Sequence, residues 1–145
     1  MSDLGGLYQD LIIEHAKRPQ GKVLVEDPTT RSHQLNPTCG DEVTVTLLVE
    51  DGVIVAFGWD GHGCAISQSS ASFLTELLAG RSVAAATELI GEFREVLRSR
   101  GQLELDEERF GDAIALNGVS RYVARVKCAM LAWVAVEDAL SRVAE

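Results

Sequence analysis

The sequence predicts an α+β fold, a small antiparallel sheet packed against helices, and three observations carry that expectation. Val43, Val45, Leu47 and Val49 alternate with Thr44, Thr46, Leu48 and Glu50, the period-two pattern of a strand with one buried face. Asp51-Gly52 follows, a dipeptide that favours a type I′ hairpin turn, and Val53, Val55, Phe57 and Trp59 then alternate back. Beyond Cys64 the apolar period becomes helical and stays so to the end. Strands come early and helices late.

The remaining elements follow in order. Leu7, Tyr8, Leu11 and Ile12 recur at helical spacing, and Pro19 with Gly21 stops that first helix. His33 to Thr38 reads as a polar loop with an Asn-Pro turn signal. A helix is expected over residues 65–79, closed by Gly80. Ser82 can cap a second one running to Ser99 and ended by Gly101. Within it Gly91 costs about 1 kcal/mol relative to Ala. Asp106 can cap a short helical piece to Leu116, which Asn117-Gly118 breaks. The last helix carries Val119, Val123, Val126, Met130, Trp133, Val136 and Leu140. No repeat, low-complexity tract or linker interrupts the chain, so residues 1–145 read as one domain.

Composition excludes several classes of function. A hydrophobic content of 46% over 145 residues suffices for a core without covalent staples. A formal net charge of -9 argues against a nucleic-acid partner, because phosphate binding needs clustered Lys and Arg. The start, Met1-Ser2-Asp3-Leu4-Gly5-Gly6, lacks the basic and apolar regions of a signal peptide. No apolar run approaches the roughly 18–20 residues that span a bilayer, so no membrane role and a cytoplasmic location are expected. In that reducing compartment thiols stay free or bind metal.

The chemistry concentrates on three cysteines. Their odd number, with no Cys-x-x-Cys pair, argues against a disulfide framework, a zinc ribbon and a thioredoxin-like motif. Cys39 lies in the turn sequence Asn36-Pro37-Thr38-Cys39-Gly40-Asp41, Cys64 follows Gly61-His62-Gly63 at a helix start, and Cys128 sits within the last helix. An extended i, i+2 pair points Cys39 and Asp41 to one side, and antiparallel pairing returns Cys64 to the same end. Three thiolates and one carboxylate suit a tetrahedral Zn²⁺, with Cys39, Asp41, Cys64 and Cys128 as candidate ligands. The competing reading is three free cysteines used as small core residues.

Four strings carry a family resemblance: Leu7-Tyr8-Gln9-Asp10-Leu11-Ile12, Asn36-Pro37-Thr38-Cys39-Gly40-Asp41, Gly63-Cys64-Ala65-Ile66-Ser67, and Arg125-Val126-Lys127-Cys128-Ala129-Met130-Leu131-Ala132-Trp133. They resemble the U-type iron–sulfur cluster assembly proteins over nearly the whole chain, and the SufU branch more than the IscU scaffold branch. Lys127 stands where IscU-type scaffolds have His before the third cysteine, and the stretch from Cys64 to Cys128 is longer, as in the SufU branch. Two departures are His15-Ala16-Lys17-Arg18-Pro19, where the family more often has an aromatic and an Asn, and His62, which lies outside the motif.

The resemblance implies a SufU/IscU-like fold and a zinc-dependent sulfurtransferase, with zinc on Cys39, Asp41, Cys64 and Cys128. Its partners would be a pyridoxal-phosphate cysteine desulfurase of the SufS type and a downstream cluster scaffold. Cys39 would accept persulfide sulfur after a desulfurase histidine takes over its place on zinc. A loop bounded by Pro37 and Gly40 suits that mobile role better than the helices of Cys64 and Cys128. Asp41 leaves the site less electron-rich than four thiolates would, which eases ligand exchange. Arg125 and Lys127 are auxiliary candidates for stabilising its negative charge, against a reading as solvated surface cations. His62 is a competing fourth ligand or a chance loop histidine; His15 and His33 read as surface or interface residues, and Ser67, Ser69, Ser70 and Ser72 as small packing positions. Two alternatives stay open: a scaffold that builds a [2Fe–2S] cluster on the same ligands, and a structural zinc protein that binds a partner without transferring sulfur.

Overall fold

The computed structural model describes residues 2–38 and 40–143, with residues 2–7 described by backbone alone. Cys39 and the side chain of Leu7 therefore lie outside the described residues. In chain order the elements are α1 (Ser2–Lys17), β1 (Thr30–Asn36), β2 (Asp41–Glu50), β3 (Val53–His62), α2 (Ala65–Leu78), α3 (Val83–Leu97), α4 (Glu107–Phe110), a 3₁₀ segment (Gly111–Arg121) and α5 (Val123–Leu140). The strands form an antiparallel sheet in the order β1-β2-β3. Helix α5 packs against β1 and β2, α2 packs against β3 and α5, and α1 lies on α2 and the 3₁₀ segment. This is the expected α+β architecture. Among the described residues no helix is long and apolar enough to cross a membrane.

The β2–β3 hairpin forms for the reasons the sequence suggests. Asp51 and Gly52 take φ of 52° and 75°, the pair of positive values a type I′ turn requires. Val43, Val45 and Leu47 are buried on the helix-facing side, with Trp59 opposite Val45. The return strand departs from the expected alternation. A register shift at Leu48/Val49 turns Ile54 inward and leaves Val55 46% exposed. One extra residue at a bulge exchanges the faces of everything beyond it.

Residues 33–36 belong to a strand, not to the expected polar loop. β1 pairs with β2 from Thr30↔Leu47 to Asn36↔Asp41. Its inward residues are polar, Thr30, Ser32 and Asn36, while the outward Leu35 is 54% exposed. Partners on α5 make the inversion tolerable: Thr30 Oγ1 donates to the Ala139 carbonyl at 2.7 Å and Ser32 Oγ to Asp138 Oδ2 at 2.7 Å. A buried hydroxyl with a partner escapes the desolvation cost that an orphan would incur.

The helices end where expected, with one correction. Ser82 accepts from the Ala85 amide as the cap of α3, and Asp106 from Glu108 as the cap of α4. Asn117-Gly118 does not break the segment that follows, because the 3₁₀ run continues to Arg121 and Val119 belongs to it instead of α5. The Asn117 side chain accepts from the Leu105 amide at 2.7 Å, a tertiary use invisible to a turn rule. In the core, Phe93 stacks on Trp133 with ring centroids 3.7 Å apart. The Trp133 indole donates to Ser70 Oγ at 2.9 Å, and Ser70 donates to the Ala129 carbonyl at 2.6 Å. Ser67, Ser69, Ser70 and Ser72 are all buried, as the small-residue reading expects.

The seam between β1 and α5 is pH-sensitive. Hydrogen bonds from Arg142 first and Ser32 second hold the Asp138 carboxyl below the usual range. A lowered folded value means stability that is present above the unfolded pKa, near pH 3.9, and is lost as pH falls through the folded value. Asp138→Asn should therefore unfold at lower urea than the parent at neutral pH, with a gap that closes on acidification. A gap that held constant down to pH 2 would show that the carboxylate's charge contributes nothing to the seam.

Candidate metal centre

Asp41 is the first residue of β2, and its place there decides where its side chain goes. Successive strand residues face opposite sides. Asp41 shares the inward side with Val43 and is fully buried, whereas Glu42 faces out. β3 ends at His62, opposite Glu42, and Gly63 then carries the chain back under the sheet to Cys64. Cys64 is the N-cap of α2, yet its own side chain caps nothing. The cap comes from across the sheet: the Cys64 amide donates to Asp41 Oδ1 at 2.9 Å. A carboxylate at a helix N-terminus gains from both the orphan amide and the macrodipole.

Gly63 makes that approach possible. A Cβ there would lie 2.3 Å from Asp41 Oδ1 and 2.6 Å from Ser67 Oγ, closer than such atoms come. The space is taken by the carboxylate itself.

Cys128 completes the cluster from α5, buried one turn from the Ala124 carbonyl. Ligand atoms of Asp41, Cys64 and Cys128 all lie within 4.8 Å of one another, and Cys64 Sγ is 3.8 Å from Asp41 Oδ2. Oxygen and sulfur donors on a tetrahedral zinc, at about 2.1 and 2.3 Å, sit about 3.6 Å apart. The donor set and spacing therefore fit such an ion. The thiol of Cys64 is half-buried at the N-terminal end of α2. Three of the four sequence-derived ligand candidates are thus brought together, and the fourth, Cys39, lies outside the described residues. Around it, Asn36 and Asp41 pair across the hairpin, and the Gly40 amide donates to the Asn36 carbonyl at 2.8 Å.

The other candidates fall elsewhere. His62 and His33 both reach Glu42 on the outer face, at 3.1 Å and 2.5 Å, so His62 is directed away from Asp41. Hydrogen bonding from His33 is the main cause that lowers the Glu42 carboxyl, with burial opposing and His62 assisting. Arg125 and Lys127 are exposed, and among the described residues neither forms an ion pair. They line apolar grooves on two flanks of α5: Lys127 with Leu35, Pro37 and Met130, and Arg125 with Ile12, Ile13 and Tyr122. His15 is not a surface residue. It is buried against Phe73, with Nδ1 2.7 Å from Ser72 Oγ. Sequence reasoning missed Gly63 as well, although a glycine immediately before a helix-starting cysteine is the signal that could have shown it.

Known proteins share this arrangement of elements. The chain matches the NifU-like N-terminal domain over residues 7–142. It is 32% identical over 142 residues to the zinc-dependent sulfurtransferase SufU of Bacillus subtilis strain 168, covering 97% of this chain and 94% of that protein. It is 35% identical over 137 residues to the iron–sulfur cluster assembly scaffold protein IscU of Thermotoga maritima, covering 94% of each. The crystal structure of a SUF-system scaffold protein from Fervidobacterium islandicum superposes with a TM-score of 0.82 at 32% identity, covering 90% of this chain and 93% of that one. With its fold and nearly its full length matched, the chain belongs to the NifU-like N-terminal domain family, the family of the SufU and IscU iron–sulfur assembly proteins.

Proposed function

We propose that this protein holds zinc on Cys39, Asp41, Cys64 and Cys128 and accepts persulfide sulfur on Cys39 from a cysteine desulfurase, for relay into iron–sulfur cluster assembly. The observation that carries the reading is the convergence of Asp41, Cys64 and Cys128 from three separate elements. One carboxylate and two thiols, each able to ligate as an anion, are donors that suit a divalent cation such as zinc. Similarity to SufU over 97% of the chain supports zinc and sulfur transfer as its use. Bound there, zinc would hold the thiols deprotonated at neutral pH and add to folding stability.

The protein's own residues supply the rest. Cys39 is two residues from Asp41 in sequence, in the connection between β1 and β2, whereas Cys64 and Cys128 belong to helices. In the transfer its thiolate attacks the outer sulfur of the donor persulfide. A new sulfur–sulfur bond forms on Cys39, the donor's sulfur–sulfur bond breaks, and the donor cysteine leaves as thiolate. The sulfane sulfur changes owner with no net oxidation. Exposed apolar residues on the two flanks of α5, Leu35, Tyr122 and Val123 at 54%, 63% and 61% exposure, would with Arg125 and Lys127 offer docking surface for the donor. On the α1 side, Ile13 at 48% exposure extends that face.

A second reading, a scaffold for a [2Fe–2S] cluster on the same residues, is favoured by the 35% identity to IscU of Thermotoga maritima. Anaerobic purification separates the two, since a cluster absorbs visible light and zinc does not.

Metal analysis should find about one zinc per chain. Cys64→Ser and Cys128→Ser should lose it and melt several degrees lower. Gly63→Ala, which keeps every ligand residue in the sequence, should also lose metal, because its Cβ would displace the Asp41 carboxylate from the Cys64 amide. Full zinc and an unchanged melting temperature in all three variants would rule the site out.

Incubation with a cognate desulfurase and free cysteine should place a persulfide on Cys39, read by peptide mass spectrometry. Cys39→Ala should fail to raise desulfurase turnover in a sample whose zinc content is measured alongside. Label on Cys64 or Cys128, with Cys39→Ala still active, would overturn the assignment of the acceptor.

A further inference from the structure

A second group of potential ligands lies away from the thiols, where α1, α2 and the 3₁₀ segment meet. Ligand atoms of His15, Glu76 and Asp112 all lie within 4.8 Å of one another. The geometry points to a second cation site here, with His15, Glu76 and Asp112 as ligands of a divalent first-row ion such as Mn²⁺, Fe²⁺ or Zn²⁺.

His15 gives the group its direction. Its side chain is 9% exposed, a degree of burial uncommon for a polar group without a purpose. The ring packs on Phe73 with centroids 4.3 Å apart, and Nδ1 sits 2.7 Å from Ser72 Oγ. Ser72 Oγ also accepts from the Gln20 amide at 2.8 Å, so the group that anchors Nδ1 is itself held in place. With Nδ1 anchored there, Nε2 is the ring nitrogen left facing the carboxylates, and it can ligate once it carries no proton. Anchoring one ring nitrogen so that the other can ligate is the usual arrangement of metal-binding histidines.

Nε2 is directed at the carboxylates but bonds to neither. It is 3.6 Å from Asp112 Oδ2, too far for a hydrogen bond. Two donors on one ion at about 2.1 Å are about 3.0–3.4 Å apart, so a small closure would seat a metal between them. The carboxylates supply the charge. Glu76 and Asp112 bring two carboxylates whose ligand oxygens lie within 4.8 Å of one another, close enough to repel when both are ionised. A divalent ion between the acids would remove that repulsion.

The donor types restrict the ion. One imidazole and two carboxylates without sulfur suit Mn²⁺, Fe²⁺ or Zn²⁺ over soft Cu⁺, and the imidazole disfavours Ca²⁺. The site is independent of the thiol centre, and bound metal would tie α1 to α2 and the 3₁₀ segment, so it should stabilise the fold by mass action.

The experiment uses zinc-loaded full-length protein and Mn²⁺, which a zinc-filled thiolate site will not take. Loss of the free Mn²⁺ electron paramagnetic resonance signal counts binding, and thermal melts report the brace. The parent should bind about one Mn²⁺ and melt higher with it. Both exposed carboxylates can be neutralised without disturbing the core, so Glu76→Gln with Asp112→Asn should fold normally, bind at least tenfold more weakly and lose the Mn²⁺-dependent rise. His15→Gln should bind equally poorly. No binding to the parent, or equal binding to the double variant, overturns the proposal and leaves Nε2 as a protonated partner of Asp112. Persulfide formation on Cys39 in the same double variant keeps this result separate from the sulfur-transfer reading.

Discussion

One carboxylate joins the two layers of this protein at the site. Asp41 is fully buried at the start of the central strand, and its Oδ1 accepts the amide that opens α2. Burying that charge would be costly without donors aimed at it. The arrangement supplies an orphan helix amide, the positive end of α2 and a neighbourhood of thiols that a cation can bridge. Two demands thus converge on one side chain, helix capping and strand register, and the proposed metal ligation would add a third. A one-residue slip of β2 would exchange Asp41 for Glu42 on the inner face and undo all three.

How much of this is legible in the sequence depends on where the stabilising partner comes from. The β2–β3 hairpin is legible because alternation and Asp51-Gly52 act within a few residues of each other. β1 is not, since Thr30 and Ser32 face the core as polar groups and are stabilised by Ala139 and Asp138, more than a hundred residues away. Asn117 fails for the same reason: a local rule reads it as a breaker, while its side chain holds the Leu105 amide. The bulge at Leu48/Val49 is equally silent, because Val53 and Val55 satisfy the strand pattern in either register. At the site, the residue types Asp41, Cys64 and Cys128 are visible, but the capping of α2 by Asp41 requires the sheet. His15 looks like any helix-end histidine until Ser72 and Phe73 are placed beside it.

Charge is divided unevenly over the surface. The chain carries a formal net charge of -9, yet Lys127, Arg98 and Arg100 line the groove beside Pro37, and Arg125 lines the one that includes Ile12 and Ile13. Both grooves are otherwise largely apolar. A cationic, apolar-floored surface in an acidic protein favours an acidic partner at this end and repels other copies of the same chain elsewhere. Arg125 and Lys127 thus suit recognition of an acidic partner better than contact with the buried Asp41 and Cys128.

The same helix holds the thiols apart at a set distance. α2 begins at Cys64, and six residues on, about 9 Å along its axis, Ser70 donates to the Ala129 carbonyl, next to Cys128. Trp133, one turn further on α5, closes the network on Ser70 Oγ. Every member is buried and partnered, so moving Cys64 relative to Cys128 would mean breaking hydrogen bonds that have no water to replace them. Neither cysteine can shift far without that cost. Between Asn36 and Asp41 the described hydrogen bonds are local: the Thr38 amide donates to Asn36 Oδ1 at 3.1 Å and the Gly40 amide to the Asn36 carbonyl at 2.8 Å. Under the proposed function, Cys64 and Cys128 held in this way would keep a metal-holding frame while Cys39 does the chemistry, the division of labour a sulfur acceptor requires.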